Sequence, residues 1–171
     1  YWRDWSSDVC SSDLIKDSVD VDIFRETFIE LLKRHQVLRT VFRNDVMLRP
    51  VQIVLKEPKI DLRFEDLCGL TLEEQDAKLA DIRTADIREG FDIANGPLIR
   101  LYLIKLCDDV FYRIWSNHHL LLDGWSTQIV LKEFEQIYFE LSNGREVQLP
   151  DLPSFSSYID WYQSLHVRES Q

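Results

Sequence analysis

"LIRLYLIKLCDDVFYRIWSNHHLLLDGWS", Leu98 to Ser126, sets the architecture of this chain. Residues 98–106 and 110–117 are runs of β-branched, aliphatic and aromatic side chains, and the short acidic link Asp108 and Asp109 stands between them. That pattern predicts a hairpin of two long central strands. Past Asn117 the period changes: from Trp125 onward Val130, Phe134, Ile137, Tyr138 and Leu141 fall on one face of a helix, which "SNG" at 142–144 ends. His118 and His119 therefore stand where a core strand hands over to a helix N-terminus.

Working outward, Phe24, Phe28, Leu31, Leu32 and His35 have the one-face spacing of an amphipathic helix that Asp20 or Asp22 can cap. "VLRTVF" (37–42), "PVQIVL" (50–55) and "DLRFEDL" (61–67) read as short strands. Thr71 with Glu74 forms a capping box before a charged helix running to about Glu89, where Gly90 offers a stop. A last helix starts near Ser154 and is expected to bury Phe155, Tyr158, Ile159, Tyr162 and Leu165. Strands and helices mix without regular βαβ alternation. The class is α/β of the α+β sandwich kind, a mixed and largely antiparallel sheet flanked by helices.

With 171 residues, 45% of them hydrophobic and 12% aromatic, the chain is one packed domain or a piece of one. A formal charge of −10 and the absence of any Lys/Arg cluster argue against nucleic acid or an anionic membrane as the main partner. Cys10, Cys68 and Cys107 lie far apart, which indicates neither a disulfide framework nor a zinc site. The chain shows no apolar run long enough to span a bilayer and no signal-peptide pattern, so a cytoplasmic location is expected.

"YWRDWSSDVCSSDL" (1–14) fits no helix or strand template, and back-translation of Arg3 to Leu14 resembles a sequencing-library adapter read in frame. Residues 1–14 are expected to be a translated artefact outside the fold, with the domain proper at 15–171.

At the strand-to-helix corner, helix N–H groups and the positive end of the helix dipole can face a cleft and hold an oxyanion. A histidine there can take a proton from a nucleophile or hold it in line, and Gly124 keeps the backbone open to close approach. Asp123, beside Leu120 to Leu122, needs a cation or several N–H donors. Adjacent His118 and His119 point to opposite sides of a continuing strand and so do not share a metal ion. No GxSxG elbow is present for a serine triad.

These residues resemble the condensation domains of nonribosomal peptide synthetases, in the chloramphenicol-acetyltransferase-like superfamily. "HHLLLDGWS" (118–126) matches the HHxxxDG signature, and "RHQVLRTVF" (34–42) matches the RHxxLRTxF signature with Gln36 where Glu is usual. "YIDWY" (158–162) and "FDIANGPLIR" (91–100) are similar to weaker family stretches. The resemblance implies that His119 is the catalytic base or positioner of the attacking α-amine, with the backbone N–H at Gly124 beside it. It also implies that His118 is structural and that Asp123 pairs with an arginine, for which Arg39 is preferred to Arg34. The reaction implied is amide formation between two carrier-tethered thioesters. No cofactor or metal is bound directly, because substrates arrive on phosphopantetheine arms of upstream and downstream carrier domains.

The family's earliest signature is absent, and so is the second half of the two-lobed domain. The chain reads as the N-terminal lobe, inactive alone and exposing a surface that the missing C-terminal lobe should cover. Three other functions fit the same residues: an epimerization domain, a stand-alone HHxxxDG acyltransferase, and a noncatalytic lobe that recruits partners. His35 is expected to face the core, and Trp115, Trp125 and Trp161 are expected to pack rather than wall a substrate.

Overall fold

The computed structural model describes residues 8–44 and 50–169. Its strands are β1 (Asp8–Ile15), β2 (Thr40–Arg43), β3 (Val51–Val54), β4 (Leu62–Asp66), β5 (Ile99–Cys107) and β6 (Val110–His118). Its helices are α1 (Val21–Arg34), α2 (Leu72–Glu89), α3 (Gly124–Ser142) and α4 (Phe155–Glu169). A four-stranded sheet has the order β1-β6-β5-β4, antiparallel except for the parallel β4–β5 pair, and β2–β3 form a separate antiparallel ribbon. The mixed, largely antiparallel sheet flanked by helices is the expected class, with the β5–β6 hairpin at its centre.

Strand alternation divides the core into two layers. Leu101, Leu103, Phe111 and Trp115 face α1 and α3, where Phe24, Phe28, Leu31 and Phe134 pack against them. Tyr102, Ile104 and Ile114 face the other way, toward Ile82 of α2. Local signals fixed the helix ends. Asp20 caps α1 by accepting from the Asp22 and Ile23 N–H groups, and Thr71 and Glu74 form the reciprocal box that opens α2. Gly90 stops α2 at φ 58°, and Gly96 also has φ 58°, where an added Cβ would lie 2.9 Å from Val41 Cγ1.

Three expectations need correction. Asp8–Leu14, expected to lie outside the fold, pair rung by rung with β6, and residues 1–7 lie outside the described residues. A ladder is made by backbone groups, so an edge strand accepts a polar sequence that no side-chain period recommends. Two side chains also fit. Arg113 donates to both Asp13 oxygens at 2.9 Å, and Tyr112 Oη donates to Ser12 Oγ at 2.6 Å.

The second correction is at Gln36–Arg39, which form a 3-10 turn before β2. Thr40 Oγ1 bonds the Gln36 carbonyl at 2.8 Å and the turn drops Leu38 into the core, so the strand begins only at Thr40. The third concerns α4. The helix forms where expected, but Tyr158, Trp161 and Tyr162 are exposed, with Tyr158 stacked on Tyr162 and tilted against Trp161. The side chains of Leu165 and His166 lie outside the described residues.

Candidate active site

Strand β6 ends at His118, and three short bonds fold the chain back there. The His118 N–H donates to the Leu98 carbonyl at 3.0 Å, and the Leu121 N–H donates to the His118 carbonyl at 3.0 Å. His118 Nδ1 accepts the Leu120 N–H at 3.1 Å. An acceptor Nδ1 carries no proton, so the neutral ring is the Nε2–H tautomer, committed to holding the turn. His119 sits on the crest of that turn and is exposed. Leu121 and Leu122 anchor the turn from below, both buried. The structure thus leaves His118 partly buried and His119 in the open.

Asp123 is the N-cap of α3. Its Oδ1 accepts the Ser126 N–H at 2.7 Å, and its carbonyl accepts from both the N–H and the hydroxyl of Thr127. The Ser126 N–H is the main reason that the Asp123 carboxyl titrates below the usual carboxylate range. Of the two partners the sequence allowed, a cation or N–H donors, the structure uses N–H donors. Among the described residues no cation pairs with Asp123.

Arg39 donates instead to the Leu55 carbonyl, and Leu55 N–H returns a bond to the Arg39 carbonyl at 2.8 Å. The expected Arg39–Asp123 ion pair is therefore absent. The physical reason is local. A carboxylate at an N-cap reaches an N–H three residues on without ordering a long side chain from another element.

Arg34 is also engaged away from the corner. Its Nε donates to Glu133 Oε2 at 2.8 Å and its Nη2 to the Pro150 carbonyl at 2.6 Å. His35 Nε2 meets the same Glu133 oxygen at 2.8 Å. A carboxylate only accepts, so the proton of that bond lies on His35. Burial pushes the Glu133 carboxyl up, but Arg34 and His35 together hold it below its ordinary value. Glu133, which the sequence did not single out, thus pins the end of α1 to the middle of α3. His35 is largely buried as expected, but through this polar bond rather than apolar packing.

Gly124 is the first residue of α3, where an N–H has no intrahelical acceptor. A Cβ added there would meet nothing within 4 Å, so packing inside this lobe does not require glycine. The Asp123 charge at the same helix end offsets part of the dipole. Beside the corner, Leu121, Leu122, Ser126 and Ile129 form a groove of about 290 Å³ with His35 and Phe155. Trp115 packs as expected, but Trp125 is 85% exposed and Trp161 55%.

Residues 8–171 match the family described as Condensation domain. The chain belongs to the condensation-domain family. It corresponds to an N-terminal part of such a domain. Among curated condensation-domain relatives, a linear gramicidin synthase of Brevibacillus parabrevis is 38% identical over 155 residues, covering 91% of this chain and 3% of that protein. Bacitracin synthase 1 of Bacillus licheniformis is 33% identical over 156 residues, again 91% of this chain and 3% of the relative.

The starter condensation domain of rhizomide synthetase superposes with a TM-score of 0.83 at 18% identity, covering 95% of this chain and 40% of that one. The epimerization domain from the third module of tyrocidine synthetase B superposes at 0.74 with 23% identity, covering 90% and 34%. At such identities the superpositions show a shared fold. This condensation-domain chain spans 3% of each of these two synthases and 40% and 34% of the two solved domains.

Proposed function

We propose that the protein containing this chain joins two carrier-tethered acyl or aminoacyl thioesters through an amide bond, in the cytoplasm, with His119 at the reacting amine. The observation that carries this reading is the exposed ring of His119 on a turn that His118 and the Asp123 cap hold in place. The acceptor α-amine attacks the donor thioester carbonyl, the C–N bond forms and the C–S bond breaks. His119 orients the amine and takes its proton, which the departing thiolate then receives. Thioester aminolysis is downhill, so orientation supplies much of the rate. The Gly124 N–H adds a donor for the carbonyl oxygen.

Upstream and downstream carrier domains deliver both substrates on phosphopantetheine arms. The C-terminal lobe of the same domain closes the channel over Leu120, Trp125 and Ile129, whose apolar side chains stand in the open beside the corner. Alone, the chain has half a channel and no condensing activity. Residues 1–14 are best read as translated adapter sequence, of which 8–14 pair with the edge of β6.

Epimerization is the second reading, favoured by the likeness in fold to the tyrocidine synthetase domain. A recruiting lobe without catalysis is disfavoured, because His119, Asp123 and Gly124 are all present. The test is a complete domain supplied with donor-loaded and acceptor-loaded carriers and read by mass spectrometry. The expected result is a new amide on the acceptor carrier. Racemization on a single loaded carrier, or no product from either, contradicts it.

A further inference from the structure

Helix α2 covers the sheet face opposite α1 and α3, and its buried residues are Gln75, Ile82 and Asp86. Two of these three are polar, which is a poor way to dock a helix by hydrophobic burial alone. The Asp86 carboxylate, 5% exposed, accepts from three side chains of the central hairpin: Arg100, Tyr102 at 3.3 Å and Ser116 at 2.6 Å. Arg100 is held besides by Asp61 at 2.8 Å and Glu89 at 2.9 Å. Burial works against the Arg100 charge, and the carboxylates of Asp61 and Asp86 more than offset it. A buried network of this kind is no better for stability than apolar packing of the same volume, whereas it does fix direction.

What it directs is the end of β6. Ser116 and Arg100 face each other across the β5–β6 ladder, the next rung is Asn117 with Ile99, and the His118 N–H on the Leu98 carbonyl closes the pairing. Strand alternation puts Ser116 and His118 on the same sheet face, the face that α2 covers. The last rungs before the histidine turn are therefore gripped from behind by one carboxylate. We propose that Asp86 is a positioning residue that acts through Ser116 and Arg100 to fix the end of β6, and with it the turn that aims His119. This rests on His119 being the reacting-site histidine.

Amide hydrogen exchange of the 171-residue chain and its Ser116→Ala variant tests it. Ser116→Ala removes one hydroxyl and keeps the volume, so the fold should survive. The expected result is exchange about tenfold faster at the His118 and Leu121 amides, while the Leu31 and Phe134 amides change by less than about twofold. Asp86→Asn should give the same pattern with a larger ratio, and if that variant does not fold, Ser116→Ala still decides. Equal acceleration at all four amides, or none at His118 and Leu121, overturns the proposal, since a merely stabilising contact acts evenly.

In the complete domain, Ser116→Ala should lower kcat for amide formation and leave KM for both carriers unchanged. Local loosening with kcat unchanged would leave the grip of Asp86 on the turn standing and overturn the role given to His119.

Discussion

Replacing His119 by alanine in the complete domain is expected to lower the rate of amide formation by about 100-fold or more, with carrier binding and melting temperature unchanged. The size follows from what the ring does. In the proposed reaction, orientation of the amine and removal of its proton both pass through that imidazole, and both are lost together. The lack of effect on folding follows from its place on the crest of the turn, exposed and outside the core. His118→Ala should behave in the opposite way. It removes the acceptor of the Leu120 N–H, so stability should fall along with activity. Single-turnover kinetics with pre-loaded carriers, alongside thermal unfolding, separates the two. Equal loss of stability in both variants would contradict the division of labour between the rings.

Phe134→Ala should cost about 3–5 kcal/mol of unfolding free energy, a large part of the roughly 5–15 kcal/mol available to a domain. Phe134 is fully buried on α3, with its ring centroid 5.0 Å from that of Phe24 on α1 and 6.2 Å from that of Trp115 on β6. The Arg113 guanidinium lies 5.5 Å above it. Trp115 makes the matching contacts from the sheet side, to Phe28 of α1 and Phe134 of α3. Truncation leaves a cavity bounded by three elements that cannot all move in to fill it. Denaturant unfolding of the chain measures the loss, and a value under about 1 kcal/mol would mean that α1 and α3 do not share the core described here.

The fold was legible where one side-chain period ran the length of an element. The hairpin, α3 and α1 followed from periodicity, and their ends from Asp20, Thr71, Glu74 and Gly90, whose signals act within a few residues. The corner was legible for the same reason. His118, His119 and Asp123 are close in sequence, and apart from the His118 N–H on the Leu98 carbonyl the bonds that shape the turn span at most three residues.

Contacts between distant elements were not legible. Nothing in spacing tells which of 20 Lys and Arg side chains meets Asp123, and among the described residues none did so, because the Ser126 N–H was nearer. Glu133 and Asp86 read as ordinary polar positions on helices, yet each collects bonds from another element. The stripe of α4 shows the converse limit. Its aromatic period is genuine, but a period states that a face is apolar, and burial requires a surface to cover it. Residues 8–14 joined the sheet through a backbone ladder and long-range side-chain bonds at Ser12 and Asp13, which composition does not reveal.

The most direct test of the central claim is the rate at which each histidine of this chain is carbethoxylated, followed by peptide mapping. His119, exposed on its turn, should react well ahead of His118, whose Nδ1 is occupied by the Leu120 N–H, and ahead of His35, whose Nε2 is bound to Glu133. If His118 or His35 reacts first, or His119 is protected, the corner does not present the ring assigned to the chemistry.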